Sequence, residues 1–449
     1  MDLRLIILET MLLLENEETP SDKTINRVLD KYDHLKKQER SFMKRILEGY
    51  MERRIGLDYI IDCFSRTKTA SMKPVIRSIL RMSVYQLKYM DSVPAAAVCS
   101  EAVRLAQKKG FSGLKGFVNG VLRNIARHMD EIEYPDEDTP QGMSVKYSCP
   151  EWLTAQLMCE QGPENTHKIL ARSLEPPDIY VRTNLSRITC DKLREQLAAE
   201  KIGSERAPYL PYALRLKDID SVSRINAFGV GLFQIQDLGS MLVTHVAGIK
   251  EGNTVFDVCA SPGGKSMHAL DILNGTGRLY AFDVSEKKLI PIVENAVRMG
   301  CGNFEAKAAD AAEYHEEYKE KADVLIADLP CSGLGVMGRR NDIKYNMTRE
   351  KEASLVKLQR DILKNVAEYV KPGGIMVVST CTIHRAENED NVRWIKDSLP
   401  FEAVSLDDHL PGELRCDTSR EGYIQLIPGV HQCDGFFIAK FRKKAKKDQ

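Results

Sequence analysis

The sequence predicts a multidomain chain with an all-helical N-terminal part, a small α+β module and an α/β domain built on a mostly parallel sheet. Apolar residues recur at helical spacing up to about Arg127. From Thr254 onward, near-continuous apolar runs alternate with helix-like segments. We therefore place domains at 1–129, 144–247 and 248–449, with a linker at 130–143.

The helical part carries an excess of positive charge. From Met51 to Arg127 there are 14 Lys and Arg against 5 Asp and Glu, although the whole chain balances 64 against 64. The local excess favours a polyanionic partner, and a solvated basic face explains it equally well.

Two short segments separate this part from the α/β domain. The stretch "DEIEYPDEDTPQG", Asp130 to Gly142, is acidic and rich in turn residues, and it is typical of a linker. Beyond it, "PDIYVRTN" predicts a strand and "DKLREQLAAE" a helix, as in a small α+β module.

Four apolar runs predict the strands of the last domain: "TVFDVCA", "RLYAFDVS", "DVLIADLP" and "IMVVSTCT". Runs without alternation indicate a parallel sheet covered on both faces. Each run ends in polar residues, and ligands of such sheets bind beyond the carboxyl ends of the strands. The C-terminal "YIQLIPGVHQCDGFFIAKFRKK" predicts an antiparallel pair at the edge.

The turn "DVCASPGGKS", Asp257 to Ser266, places glycines between a strand and a helix, where backbone can approach a ligand closely. Its end resembles a phosphate loop, but Cys259 stands where that motif needs glycine. The turn also lacks the G-x-G-x-x-G motif of dinucleotide-binding domains. The alternative to a ligand-binding turn is an ordinary turn that only joins a strand to a helix.

Two acidic residues are ambiguous alone. Asp283 ends a strand 20 residues after Gly263, where a carboxylate can accept ribose hydroxyls, but it could equally cap a helix. Asp310 is open to the same two interpretations.

Cys331 in "DLPCSGLG" and Cys381 in "STC" both follow predicted strands. Most free cysteines are inert and buried, but two thiols at one sheet edge suggest covalent chemistry. The 11 cysteines show no CxxC pair, which argues against a disulfide framework or a zinc ribbon, so no metal is expected. With no transmembrane run or signal peptide apparent, we expect a cytoplasmic protein without a membrane partner.

Together these motifs resemble a known family. "DVCASPGGKS", "DLPCSGLG", "VVSTCT…ENE" and "PGVHQCDGFFIAKFRK" are similar, in order and spacing, to the RNA cytosine-5 methyltransferases that use S-adenosylmethionine. "RSILRMSVYQLKYMDSVPAAAVCSEAVRLAQ" and "GFVNGVLRNIAR" resemble the NusB-type RNA-binding domain. The pairing is similar to the RsmB (Sun) branch, which methylates cytosine 967 of 16S ribosomal RNA.

The resemblance implies a NusB-like helical domain and a Rossmann-like class I methyltransferase domain. It assigns Cys381 as the nucleophile and Cys331 as the thiol that assists product release. It places the cofactor, S-adenosylmethionine, against Cys259, Ala260, Ser261, Pro262, Gly263, Gly264 and Lys265, with Asp283, Asp310 and Asp328.

The chemistry agrees with these roles. Addition of a thiolate to carbon 6 of cytosine makes carbon 5 nucleophilic enough to take a sulfonium methyl, and Asp328, if protonated, could donate to N3. The target base must be single-stranded or flipped. We expect 16S rRNA or a small-subunit precursor as the substrate, no DNA, a monomeric protein, and Arg182 and Asn184 against the RNA strand.

Four alternatives stay open at this point. A cytosine-5 methyltransferase of this kind would act on another RNA. A DNA cytosine-5 methyltransferase would use Cys331 as its nucleophile. A non-catalytic RNA-binding factor would keep the fold alone. A redox sensor would oxidise Cys331 and Cys381 to a disulfide.

Overall fold

The structure, a computed structural model, describes residues 2–16, 20–217, 219 and 221–445. It divides into two compact units. A helical unit comprises Met1–Glu175 and Met337–Asn346, and a second unit comprises Pro176–Val336 and Met347–Gln449. In the described ranges, every helix is too short or too polar to cross a membrane.

The helical unit confirms the predicted all-helical N-terminal part. Its central helix is wrapped by the others, and apolar residues such as Ile76, Ile79 and Val84 lie buried around most of its circumference. Its helices are α1 (Leu3–Asn16), α2 (Ser21–Lys31), α3 (Lys37–Phe64), the central α4 (Pro74–Tyr89), α5 (Ala95–Lys108), α6 (Lys115–His128), α7 (Pro140–Tyr147) and α8 (Glu151–Arg172).

The segment expected to be a linker folds as part of this unit. The Tyr134 ring stacks on Tyr59 with centroids 5.7 Å apart, and Thr139 Oγ1 caps α7 by accepting from Gly142 N at 3.0 Å. A Cβ at Gly142 would lie 1.9 Å from Asp136 O, so the turn needs glycine. The helical unit extends to Glu175, and the borders between three domains stay predictions.

The second unit begins with a four-stranded antiparallel sheet in the order β2-β3-β1-β4. The apolar side of α9 packs on this sheet, with Leu193 and Leu197 against Val181, Leu214 and Phe233. The elements are β1 (Ile179–Thr183), α9 (Cys190–Ala199), β2 (Gly203–Arg206), β3 (Ala213–Lys217), α10 (Asn226–Gly229) and β4 (Phe233–Ile235).

The remainder forms the predicted α/β domain. Strands run in the order β10-β12-β9-β8-β5-β6-β7; β9 to β7 are parallel neighbours, while β12 pairs antiparallel with β9, β10 and β11. The elements are α11 (Leu238–Val246), β5 (Thr254–Asp257), α12 (Gly264–Leu273), β6 (Arg278–Asp283), α13 (Glu286–Met299), β7 (Phe304–Ala308), β8 (Ala322–Asp328), α15 (Arg349–Val366), β9 (Val370–Thr380), α16 (Glu389–Ser398), β10 (Phe401–Ala403), α17 (Asp417–Arg420), β11 (Tyr423–Leu426) and β12 (Phe436–Lys443). The short helix α14 (Ile343–Asn346), between β8 and α15 in the chain, belongs to the helical unit.

Both faces of this sheet are buried, which explains the uninterrupted apolar runs. Val255 and Ile326 belong to the apolar layer on one side, and Phe256 and Leu325 belong to the layer on the other. Since successive side chains of a strand point to opposite faces, each run must be apolar throughout.

A buried ion-pair network is expected to stabilise the helical unit. Arg81 donates to Glu15 Oε1 at 2.5 Å and to both oxygens of Asp58 at 2.6 Å. Replacing Arg81 with methionine should cost about 3 kcal/mol, because Asp58 loses its cation and Glu15 keeps only Arg77. Hydrogen exchange of the α4 amides measures this loss. Lys44→Met, which breaks an exposed pair with Glu48, should cost below about 1 kcal/mol; equal exchange in both variants would contradict the expectation.

Candidate active site

The parallel strands bring the predicted site residues to one edge of the sheet. Polar or thiol side chains lie at or just beyond the carboxyl ends of five strands: Asp257 on β5, Asp283 on β6, Asp310 after β7, Asp328 on β8 and Cys381 after β9. This is the edge where ligands of open α/β sheets bind.

The turn from Cys259 to Lys265 joins β5 to α12. Gly263 has a φ of 100°, in the left-handed region, and a Cβ there would lie 3.2 Å from Ile292 Cα. Gly263 N donates to Ala260 O at 2.7 Å, which closes the turn. Glycine therefore allows α12 to begin directly at the sheet edge, with the unsatisfied amides of its first turn beside the strand ends.

Asp283 is almost fully buried and holds this turn in place. Its Oδ2 accepts from Ser261 N at 3.0 Å, and its Oδ1 accepts from Val284 N at 2.9 Å and lies 3.0 Å from Lys288 Nζ. The N-cap of α13 is Ser285, so Asp283 is not the helix cap. A carboxylate has about four acceptor positions, which leaves capacity for ligand hydroxyls.

Asp310 differs from Asp283 because it is exposed. Its Oδ1 accepts from Ala312 N at 2.9 Å, a bond within its own turn. The structure thus places Asp310 after β7, at the same edge of the sheet as the other site residues. Its visible role is to stabilise its own turn, and its contact with the cofactor stays a prediction.

Asp328 lies between two donors. Lys265 Nζ is 2.7 Å from Asp328 Oδ2, and Ser379 Oγ donates to Asp328 Oδ1 at 2.7 Å. An ammonium and a hydroxyl both stabilise an ionised carboxylate. These contacts favour an acceptor role for Asp328, so donation by a protonated Asp328 stays a prediction.

Asp257 is a site residue that sequence reasoning did not assign. It is fully buried; its Oδ2 accepts from Ser266 Oγ at 2.6 Å, while its Oδ1 is buried without a partner among the described residues. Burial raises the pKa of Asp257 to about 7, although the Ser266 bond and the Lys265 charge oppose this. Asp257 ends a strand, as Asp283 and Asp328 do, and this position in the sequence could have identified it as a site residue.

Cys331 and Cys381 come together, with their sulfur atoms 3.4 Å apart. The register explains this, because Asp328 on β8 pairs with Ser379 on β9, and the cysteines follow three and two residues later. The separation exceeds the roughly 2.05 Å of a disulfide, so both are thiols, and both are partly exposed.

A buried carboxylate, Glu387, joins the loops that carry the two cysteines. Its Oε2 accepts from Ser332 N at 2.9 Å and from Gln359 Nε2 at 2.8 Å, and its Oε1 accepts from Ser332 Oγ. Ser332 Oγ also lies 2.7 Å from Thr382 Oγ1, so the residues after each cysteine are bonded to one another. The sequence motif contains Glu387, but nothing in it indicated this role.

Arg182 on β1 and Asn184, which directly follows β1, are both buried inside the second unit. Arg182 is fully buried, with Nη1 donating to Asp271 Oδ2 at 2.6 Å, and Asn184 Nδ2 donates to Gly231 O at 2.8 Å. The expectation that they hold an RNA strand is wrong, because both side chains are buried inside the unit.

The local field keeps Cys331 protonated at neutral pH. Its hydrogen bond with Cys381, its burial and the negative charges of Glu387 and Asp328 together raise the pKa of Cys331 well above the ordinary value. The hydrogen bond between the two sulfur atoms is therefore compatible with Cys331 as its donor.

Alkylation tests this assignment. Iodoacetamide should modify Cys331 far more slowly at pH 7 than the exposed Cys63. Cys381→Ala removes the hydrogen bond that is the largest cause of the raised pKa of Cys331. The alkylation rate of Cys331, plotted against pH, should therefore have its midpoint at lower pH in this variant. Better access of iodoacetamide to Cys331 would raise the rate at every pH without moving that midpoint. Mass spectrometry of the Cys331 peptide gives both rates; rapid modification of wild-type Cys331 at pH 7 would contradict the proton-donor state.

Three family models match successive parts of the chain. The NusB family matches residues 1–127, an RsmF/B-like ferredoxin-like domain matches 149–223, and the model described as 16S rRNA methyltransferase RsmB/F matches 245–442. Their order follows the helical unit, the antiparallel sheet and the α/β domain.

Solved structures share the fold. The chain is similar to the crystal structure of PH0851, with a TM-score of 0.81 and 24% identity over 99% of both chains. It is also similar to a methyltransferase homolog protein from Pyrococcus horikoshii, with a TM-score of 0.58 and 27% identity over 67% of this chain and 97% of that one.

Sequence relatives match over nearly the whole length. The probable ribosomal RNA small subunit methyltransferase B of Bacillus subtilis (strain 168) is 34% identical over 442 residues, 98% of each chain. The protein of the same name from Synechocystis sp. is 30% identical over 438 residues, 96% of this chain and 97% of that one. The chain belongs to the ribosomal RNA small subunit methyltransferase B family.

Proposed function

We propose that this enzyme transfers the methyl group of S-adenosylmethionine to carbon 5 of a cytosine in small-subunit rRNA, at cytosine 967 of 16S rRNA, through a covalent bond between Cys381 and the base. The observation that carries the mechanism is the pair of thiols 3.4 Å apart at the ligand-binding edge of the sheet. Family membership supports the reaction class and the cofactor.

The chain's own residues fit this cofactor, which supplies an electrophilic sulfonium methyl when bound. We assign its binding to the turn from Cys259 to Lys265 and to Asp283, Asp310 and Asp328. Asp257 supports the fit, because its Oδ1 is a buried acceptor without a partner in the described chain. A ligand ammonium or hydroxyl at this edge would satisfy it.

After its thiol proton passes to solvent, Cys381 begins the reaction as a thiolate by forming a bond from its sulfur to carbon 6 of the cytosine, while the double bond between carbons 5 and 6 opens. The electron pair pushed onto carbon 5 then takes the methyl group as the bond from methyl to sulfonium breaks. A base removes the carbon 5 proton, the bond from sulfur to carbon 6 breaks, and the Cys381 thiolate leaves. Cys331, a thiol at neutral pH, stabilises that departing thiolate by donating a hydrogen bond.

The substrate requirements follow from this chemistry. A thiol cannot reach carbon 6 of a stacked, paired base, so the target cytosine must be single-stranded or flipped out. We assign 16S rRNA or a precursor of the small subunit as the substrate, with no role for DNA, and a monomeric cytoplasmic enzyme.

Methyl transfer and adduct formation test the two thiol roles together. With labelled S-adenosylmethionine and small-subunit RNA, Cys381→Ala should lower transfer by at least about 1,000-fold, because the nucleophile is lost. Cys331→Ala should accumulate an RNA adduct that survives denaturing gels and disappears in the double variant. Cys416→Ala, at an exposed thiol outside the site, should behave as wild type.

Other outcomes of this experiment select the alternatives. Transfer by Cys381→Ala but not by Cys331→Ala would make Cys331 the nucleophile, as in DNA enzymes. RNA binding without transfer by any form would indicate a non-catalytic factor, and a disulfide between the two cysteines that alone controls RNA binding would indicate a redox sensor.

Cofactor binding is expected to depend on Asp283. Asp283→Asn removes the charge that would strengthen hydrogen bonds to the ribose, so equilibrium dialysis should show about 10- to 100-fold weaker binding of S-adenosylmethionine. Asp323→Asn, at the opposite end of β8, is the matched control and should change binding less than about twofold. Equal effects of the two substitutions would remove Asp283 from the cofactor site.

A further inference from the structure

One short segment of the chain interrupts the second unit and folds as part of the helical unit. The first stretch of the second unit ends at Val336, the next begins at Met347, and residues 337–346 between them belong to the helical unit. We call Met337–Asn346 the inserted segment. It contains α14, and it begins six residues after Cys331.

A buried lysine fastens the inserted segment. Lys344 is only 1% exposed, and its Nζ donates to Glu52 O at 3.0 Å and to Tyr147 O at 3.3 Å. Glu52 belongs to α3, and Tyr147 is the last residue of α7, where carbonyls lack partners inside the helix. One ammonium group therefore joins the segment to two helices of the unit.

The residues on either side of this lysine add further anchors. Tyr345 OH donates to Ser148 O at 3.0 Å, and the Arg54 guanidinium lies 3.9 Å from the centre of the Tyr345 ring. Asp342 is also buried, and its Oδ1 accepts from Ser21 Oγ at 3.0 Å. The segment is thus held at the start of α2, at α3 and at the end of α7.

The burial of Lys344 is unfavourable by itself. Among the residues that the structure describes, its hydrogen bonds go to the two carbonyl oxygens, and no carboxylate pairs with it. Burial is the main cause that lowers the pKa of Lys344 to about 8, and the charges of Arg53 and Arg54 lower it further. An apolar side chain of similar length would avoid this cost. The ammonium does select one position of the segment, because both carbonyls accept from it only there.

Both ends of the inserted segment lead to Cys331. On one side, five residues separate the two, and the first of these, Ser332, donates its amide to Glu387 at 2.9 Å. On the other side, the chain continues into α15, where Gln359 Nε2 donates to Pro330 O at 2.9 Å, on the residue before Cys331. A shift of the segment would therefore reach Cys331 from both directions along the chain.

We infer that Lys344 is a positioning residue for the reaction: by fastening the inserted segment in the helical unit, it holds the thiol of Cys331 beside Cys381. The inference rests on the proposed function, since it connects Lys344 to the step that Cys331 assists. The helical unit thereby contributes to product release through the chain itself.

Alkylation of Cys331 tests the positioning without any methyl transfer. In the full-length chain, Lys344→Met removes both hydrogen bonds, so the loop should open more often and iodoacetamide should modify Cys331 about 10-fold faster. Tyr345→Phe removes one hydrogen bond of the same segment and should raise the rate about threefold. Tyr50→Phe, which removes another buried tyrosine hydroxyl of the helical unit, is the matched control and should leave the rate within about twofold.

Methyl transfer in a double-mutant cycle separates positioning from a general loss of stability. Lys344→Met should lower kcat about 10- to 100-fold, with KM for RNA and binding of S-adenosylmethionine within about threefold. The RNA adduct that survives denaturing gels should accumulate, as in Cys331→Ala. In the Cys331→Ala background, adding Lys344→Met should change the amount of adduct by less than about twofold, because the thiol that Lys344 positions is already gone.

The outcomes keep this inference apart from the proposed function. Faster alkylation of Cys331 in Lys344→Met, in a protein that transfers no methyl group in any form, would support the positioning and contradict the proposed reaction. An unchanged alkylation rate would overturn the inference, as would an equal loss of adduct in both backgrounds. Equal effects of Tyr345→Phe and Tyr50→Phe would also overturn it. If circular dichroism shows that Lys344→Met does not fold, Tyr345→Phe in the same cycle decides between these outcomes.

Discussion

The candidate site depends on the burial of one carboxylate, Glu387. Removing a charge from water costs several kcal/mol, and this cost is offset only when donors surround the group. Glu387 has these donors: Ser332 through its amide and hydroxyl, and Gln359 through its side-chain amide. Gln359 also donates to Pro330 O and accepts from Asn391, so the carboxylate ties both loops to α15 and α16. This bonding fixes the loops that carry the two cysteines, which the strand register brings together.

The sheet provides the frame on which that bonding acts. The pairing of Asp328 with Ser379 sets both cysteines at the same height above the strand ends, and β12 lies against the other side of β9. Gly335 and Gly435 then bring the loop after Cys331 against the chain entering β12, with Gly435 N donating to Gly335 O at 2.8 Å. A Cβ on Gly335 would lie 2.2 Å from Gly435 O, so this approach requires glycine.

Sequence reasoning identified residues whose role follows from strand position. Asp283, Asp328, Cys331 and Cys381 could be placed together because parallel strands end at one edge. Gln359 could not, since one polar residue on an amphipathic helix does not reveal whether it faces water or a buried acid. The linker at 130–143 stays a prediction of a domain border, but its acidic composition did not reveal the stacking of Tyr134 on Tyr59.

The electrostatics explain why two thiols are more useful than one. A cysteine that attacks and later leaves must carry negative charge twice, before addition and after elimination. Cys331 stays protonated because its hydrogen bond to Cys381, its burial and the charge of Glu387 all oppose its ionisation. In the mechanism that we propose, the same proton is available to the Cys381 sulfur at both moments. The buried carboxylate thus holds the loops of both cysteines, and its charge adds to the causes that raise the pKa of Cys331.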